Sequence, residues 1–91
     1  MKALEDEKIV ELYFERDEAA IEKTSEKYGK RLRAVSNGIV RDMETAEECE
    51  NDTYLAAWNA IPPAKPQSLS AFLGRITRNL ALKCYARRTA Q

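Results

Sequence analysis

"IEKTSEKYGKRLRAVSNGI", residues 21–39, carries the clearest helical signal in the chain. Its inward-suited positions, Ile21, Thr24, Tyr28, Leu32, Val35 and Ile39, recur in steps of 3, 4, 4, 3 and 4. That rhythm follows the turn of an α-helix, whereas a half-buried strand alternates every two residues. Asp17 stands where a cap would open the helix, because a short carboxylate accepts from the first unpaired backbone N–H groups. The spacing predicts one long helix over about 18–41. Gly29 and Gly38 lie inside it, each costing about 1 kcal/mol relative to Ala. Gly38 reads as a helix end, a kink or a point where a neighbour comes close.

Upstream, Glu5 to Phe14 fits a short helix with Ile9, Leu12 and Tyr13 inward. Downstream, Thr45-Ala46-Glu47-Glu48 fits a capping box, in which Thr45 and Glu48 satisfy each other's backbone donors. A third helix follows over 45–61, with Cys49, Thr53, Ala56 and Ala60 on one stripe and Tyr54, Leu55, Trp58 and Ile61 beside it. Small residues allow close helix packing, and large ones supply area. Pro62 to Ser68 holds all three prolines and must be a loop. Ser68 or Ser70 can cap a fourth helix over 69–88, with Leu69, Leu73, Ile76, Leu80 and Cys84 toward the core. There is no strand pattern, repeat or low-complexity tract. The fold class is therefore all-α, a compact four-helix domain over 1–91, since 91 residues suffice for one modest core.

Net charge is zero, with 15 basic and 15 acidic residues, but the two signs are segregated. Every acid lies at or before Asp52; residues 1–61 carry a net −6 and residues 62–91 a net +6. Such a dipolar chain speaks of partners: the basic end suits phosphate, and the acidic end suits a basic protein surface or plain solvation. No apolar run approaches a membrane span, and the N-terminus lacks a secretory pattern, so a cytoplasmic protein is expected. With no His, and with Cys49 and Cys84 standing 35 apart, neither a metal centre nor redox chemistry is expected. The two cysteines read as small buried side chains in a reducing compartment. No nucleophile motif is present, and the reading is a non-enzyme without a cofactor.

The fourth helix carries the chemistry. Opposite its apolar stripe stand Arg75 and Arg78, with Asn79 next to Arg75 and Lys83 and Arg87 continuing a ridge from Asn79. Cations bind phosphate, and a carboxamide can read a base edge. The plainer readings stand beside this one: an ordinary charged surface helix, and an Asn79 that hydrogen-bonds a neighbouring helix. Trp58 reads as core or core edge, Tyr13 and Tyr28 as packing residues, and the acids from Glu5 to Glu26 as a solvated face.

"TAEECENDTYLAAWNAI" (45–61), then a loop, then "LSAFLGRITRNLALKCYARR" (69–88), resembles region 2 of bacterial RNA polymerase sigma factors of the sigma-70 family, most of all the extracytoplasmic-function (ECF) type. Phe72-Leu73-Gly74-Arg75-Ile76-Thr77-Arg78-Asn79 fits the family's last helix position by position, as do Arg87 and Arg88. The resemblance covers about Ile9 to Arg88. It implies a promoter-binding domain working with core RNA polymerase. On that likeness Glu48, Asn51, Asp52 and Leu55 dock on the clamp coiled coil of the largest polymerase subunit. The loop, with Lys65, and the last helix recognise the −10 element and hold its non-template strand as the duplex opens. Asn79 helps read a flipped base, and Arg75, Arg78, Lys83, Arg87 and Arg88 neutralise phosphates. An anti-sigma factor is a further implied partner.

The chain departs from the family pattern at four places. Phe72 stands for the commoner Trp, Asn51 for Gln and Lys83 for a frequent Asp, and the loop lacks an aromatic. Sigma factors of this type carry a second, upstream-element-reading domain, and nothing in these residues forms it. Two rival readings follow from the residues alone. One is a helical protein-interaction adaptor using its acidic face, with no specific DNA binding. The other is a duplex-reading helix-turn-helix protein, which the seven-residue proline loop disfavours against the usual turn of about 3–4 residues.

Overall fold

The computed structural model describes residues 4–89. Four helices follow in chain order: α1 Asp6–Phe14, α2 Ala19–Val40, α3 Met43–Ala60 and α4 Leu69–Thr89. The described residues contain no strand. α2 is the axis of the domain and packs against α1, α3 and α4, while α3 and α4 also pack on each other.

The α1–α2 corner is tight. Arg16 adopts the left-handed conformation at φ 55°, and Asp17 Oδ1 accepts from the Ala19 N–H at 2.9 Å. Asp17 thus satisfies a donor in the first turn of α2 from just outside it. α3 opens differently from the capping box expected at Thr45 and Glu48. Its cap is Asp42, in an extended conformation, whose Oδ2 accepts from the Thr45 N–H at 3.1 Å and also from the Thr45 hydroxyl. The Thr45 bonds hold the Asp42 carboxyl below the usual carboxylate range. Asp42 reaches the third helical N–H from an extended residue, so the helix starts two positions early and Glu48 has no capping duty. Ser68 Oγ accepts from the Ala71 N–H at 3.2 Å and caps α4 as expected. Ser70 instead receives a hydrogen bond from Arg31.

Two apolar clusters are stacked along the bundle. The larger contains Ile9, Tyr13, Leu32, Ile61, Leu69 and Leu73, and the smaller is built on Val40, Ala46, Cys49 and Ala81. One helical turn separates the clusters on each of α2, α3 and α4, and that turn carries Ser36, Thr53 and Thr77, all fully buried. The hydroxyls form a satisfied polar layer. Thr53 Oγ1 donates to the Cys49 carbonyl at 2.7 Å, so Thr77 must donate to Thr53 at 2.6 Å, and Ser36 bonds the Leu32 carbonyl at 3.0 Å. Beside the larger cluster Thr24 donates to the Ala20 carbonyl and receives the Tyr13 hydroxyl at 2.7 Å.

This layer corrects the expected stripes. On α4 the fully inward residues are Leu69, Leu73, Thr77 and Ala81, while Ile76, Leu80 and Cys84 are half-buried. On α2 they are Ala20, Thr24, Gly29, Leu32, Ser36 and Val40, with Ile21, Tyr28, Val35 and Ile39 at the border. The small residues turn inward because helices crossing closely leave room only for them, and the branched chains wrap the seam. Gly38 admits no neighbour, whereas Gly29 does: a Cβ there would lie 3.0 Å from Glu50 Oε2 and 3.2 Å from the Tyr54 hydroxyl. Glu50, buried at 7% exposure, accepts from Arg33 Nε at 2.8 Å and from Tyr54. The pair thus meets its desolvation cost with two donors. Asp6 also leaves the expected solvated face. It accepts the Tyr28 hydroxyl and contacts Lys27 Nζ at 2.7 Å.

Candidate nucleic-acid interface

The last helix has no acidic residue from end to end. Its core residues, spaced four apart, fix the rotation of the helix and send the intervening positions outward. Arg75, Arg78, Asn79, Lys83, Arg87 and Arg88 are all exposed. At about 100° per residue, Arg75, Arg78 and Asn79 fall within one quarter to a third of the circumference, and Lys83 extends that face along a ridge. Among the described residues no ion pair engages any of these cations. Solvated, unpaired guanidinium groups with no carboxylate on their own helix form a positive strip available to an anion.

Two of the expected DNA-binding residues lie apart from this face. Arg88 Nη1 donates to the Val40 carbonyl at 3.3 Å, closing the C-terminal end of α2, where unpaired carbonyls and the helix dipole favour a cation. Lys65 is exposed on the proline loop. It lines a groove of about 770 Å³ between that loop and α1, together with Asp6, Glu7, Glu11 and Phe14. The loop walls a recess whose opposite wall is acidic. That wall disfavours a phosphate and tolerates a neutral planar group.

Sequence reasoning missed three residues here. Leu82 and Tyr85 are exposed at 42% and 50% on the same helix, and Tyr85 lies seven residues after Arg78, hence on its ridge. An aromatic seven residues from Arg78, and so on the same face of the helix, is a signal the sequence did contain, since stacking faces beside cations mark single-strand binders. The third is Arg16. Its Nη1 donates to the Trp58 and Ile61 carbonyls, each at 2.8 Å, and its guanidinium lies 3.8 Å from the Trp58 ring centroid. Arg16 thereby pins the end of α3 where the proline loop departs. Trp58 is half-buried and also packs at 6.3 Å from Tyr13, a core-edge role as expected.

A second surface lies on α3. Glu48, Asn51, Asp52 and Leu55 are all exposed, Leu55 at 59%. Their spacing of 3, 1 and 3 puts them on one stripe, which Glu44 and Asn59 lengthen at either end. An exposed leucine flanked by carboxylates and amides suits a basic amphipathic partner. Among the described residues no cluster could hold a metal ion, and no helix is long and apolar enough to cross a membrane.

No curated protein and no solved structure matches this chain. A family model described as Sigma-70 region 2 does match, over residues 25–91, taking in most of α2, the whole of α3 and α4 and the proline loop between them. With that match across both exposed surfaces, the chain belongs to the sigma-70 region 2 family of transcription initiation domains, which bind RNA polymerase and recognise promoters.

Proposed function

We propose that this chain is the promoter-recognition domain of an alternative sigma factor of the ECF type, which captures the −10 non-template strand during promoter opening. The observation that carries the reading is the acid-free exposed face of α4, where Arg75, Arg78, Asn79 and Lys83 stand without ion-pair partners among the described residues. Arg75, Arg78, Lys83 and Arg87 hold backbone phosphates, and Asn79 reads a base edge. Tyr85 adds a stacking surface beside Arg78. Arg88 contributes at most from the side, since it is committed to the end of α2. Extracting a base costs a few kcal/mol, which stacking and the recess beside the proline loop offset. On α3, Glu48, Asn51, Asp52 and Leu55 form the surface for the polymerase clamp coiled coil. Polymerase contact raises the effective DNA concentration that a weakly binding domain needs. An anti-sigma factor competing for either surface is a compatible partner.

Fluorescence anisotropy with single-stranded oligonucleotides tests the DNA half. Four phosphate contacts give a slope of log K against log salt near −3, at about −0.7 per contact. Arg78→Ala lowers affinity for all sequences and flattens that slope by about one contact, whereas Asn79→Ala erases preference for a −10-like strand over a scrambled one. An Asn79→Ala protein that still discriminates removes the base-reading role. Absence of any binding at low salt, with retention on a basic protein partner, favours an adaptor instead. Core polymerase capture that Asp52→Arg and Leu55→Ala leave intact removes the α3 assignment.

A further inference from the structure

Two thiols that neither surface uses face each other across the α3–α4 contact. Cys49 Sγ and Cys84 Sγ are 3.9 Å apart, and both cysteines are free. Cys49 is buried in the smaller cluster with Val40, Ala46 and Ala81. Cys84 is half-buried at its edge, and Arg87 Nη2 donates to its sulfur at 3.9 Å. The alanines on both helices let the backbones approach, so the sulfurs meet without intervening side chains. A disulfide needs them about 2 Å closer. Two reduced cysteines at this separation were not foreseeable from a spacing of 35 in sequence.

The geometry points to Cys49 and Cys84 as a reversible oxidation site, which forms an intramolecular disulfide on reaction with a hydroperoxide. Cys84 attacks first, because it alone of the two is partly open to solvent, where a peroxide can reach its sulfur. Its sulfur bonds to one peroxide oxygen as the O–O bond breaks, leaving Cys84 sulfenic acid and releasing an alcohol or water. Cys49 then attacks the Cys84 sulfur. The S–S bond forms, the S–O bond breaks, and the hydroxide leaves as water with the Cys49 proton. Two thiols are oxidised and one peroxide is reduced. Burial, then the neighbouring Cys84, Asp52 and Glu48, push the Cys49 thiol up to about 11, which suits a resolving sulfur that stays silent until its partner has reacted. The bond ties α3 to α4 across the entire proline loop. This inference rests on the thiols alone and stands whether or not α4 binds DNA.

The test treats the intact reduced chain with one equivalent of hydrogen peroxide and measures intact mass and a non-reducing peptide map. The expected product is a monomer lacking two hydrogens, with a Cys49–Cys84 linked peptide, restored by dithiothreitol. Retained oxygen on either sulfur, an intermolecular dimer, or two thiols that still alkylate would each overturn the site. In Cys49→Ser, dimedone should label Cys84, and in Cys84→Ser it should leave Cys49 unlabelled. The reverse labelling overturns the mechanism, and the wild-type measurement decides the site even if a variant fails to fold.

Discussion

Replacing Arg16 isolates a contact set that no other described residue supplies. Its two hydrogen bonds reach the Trp58 and Ile61 carbonyls at the end of α3, and its guanidinium stacks 3.8 Å from the Trp58 centroid. The side chain is exposed, so each bond is worth about 0.5 kcal/mol, the low end for a net hydrogen bond. An exposed cation–π contact adds about 0.5–1 kcal/mol. Arg16→Ala should therefore destabilise the fold by about 2 kcal/mol. Alanine also keeps the cost of φ 55°, which glycine escapes for a gain of about 1 kcal/mol. The expected order is wild type, then Arg16→Gly at about 1 kcal/mol lower, then Arg16→Ala at about 2 kcal/mol lower. Urea unfolding followed by circular dichroism measures it. With a slope of about 2 kcal/mol/M, Arg16→Ala should lower the midpoint by about 1 M. An alanine variant within about 0.3 kcal/mol of wild type would refute the clasp. Equal losses for alanine and glycine would refute the backbone strain.

The two glycines of α2 should respond in opposite directions. Gly38→Ala gains about 1 kcal/mol of helix propensity, because none of the described residues lies within 4 Å of its added Cβ. Gly29→Ala displaces the Glu50–Tyr54 pair, losing about 1.5–3 kcal/mol and ending net destabilised, as paired thermal melts would register. Within the hydroxyl layer, Thr53→Val strands the Thr77 donor and costs about 1–3 kcal/mol, whereas Thr77→Val leaves Thr53 bonded to the Cys49 carbonyl and costs about 1 kcal/mol. Equal losses at the two positions in urea titrations would contradict the donor order. Burial, followed by the adjoining carboxylates Asp6 and Glu50, raises the Tyr28 and Tyr54 hydroxyls to about 12 from an ordinary 10.0. Folded values above unfolded ones mean that this stabilisation is complete below pH 10 and is lost as pH rises toward 12. Tyr54→Phe should flatten that alkaline decline in the urea midpoint.

Four helices, the proline break and the acid-free end of the chain were legible in the sequence because each is a local property. Periodicity placed the helices within a residue or two of their observed limits, and the Ser68 cap needed only its own neighbours. The outward position of Arg75, Arg78 and Asn79 was equally readable, since charged groups seldom bury unpaired. Which face of each helix turns fully inward was decided only in three dimensions. Hydrophobicity nominates Ile76 and Val35, but the close helix crossing selects Thr77 and Ser36 instead; on α3 Thr53 is buried on the stripe where the sequence placed it, while Leu55 beside that stripe is exposed. Likewise Asp42 takes the cap from Thr45, Arg16 reaches across a sequence separation of 42 residues to Trp58, and Cys49 meets Cys84. Local rhythm follows from backbone geometry that each segment carries within itself. The selection among small residues, buried hydroxyls and paired thiols depends on which helices approach, and that is settled only when all of them pack together.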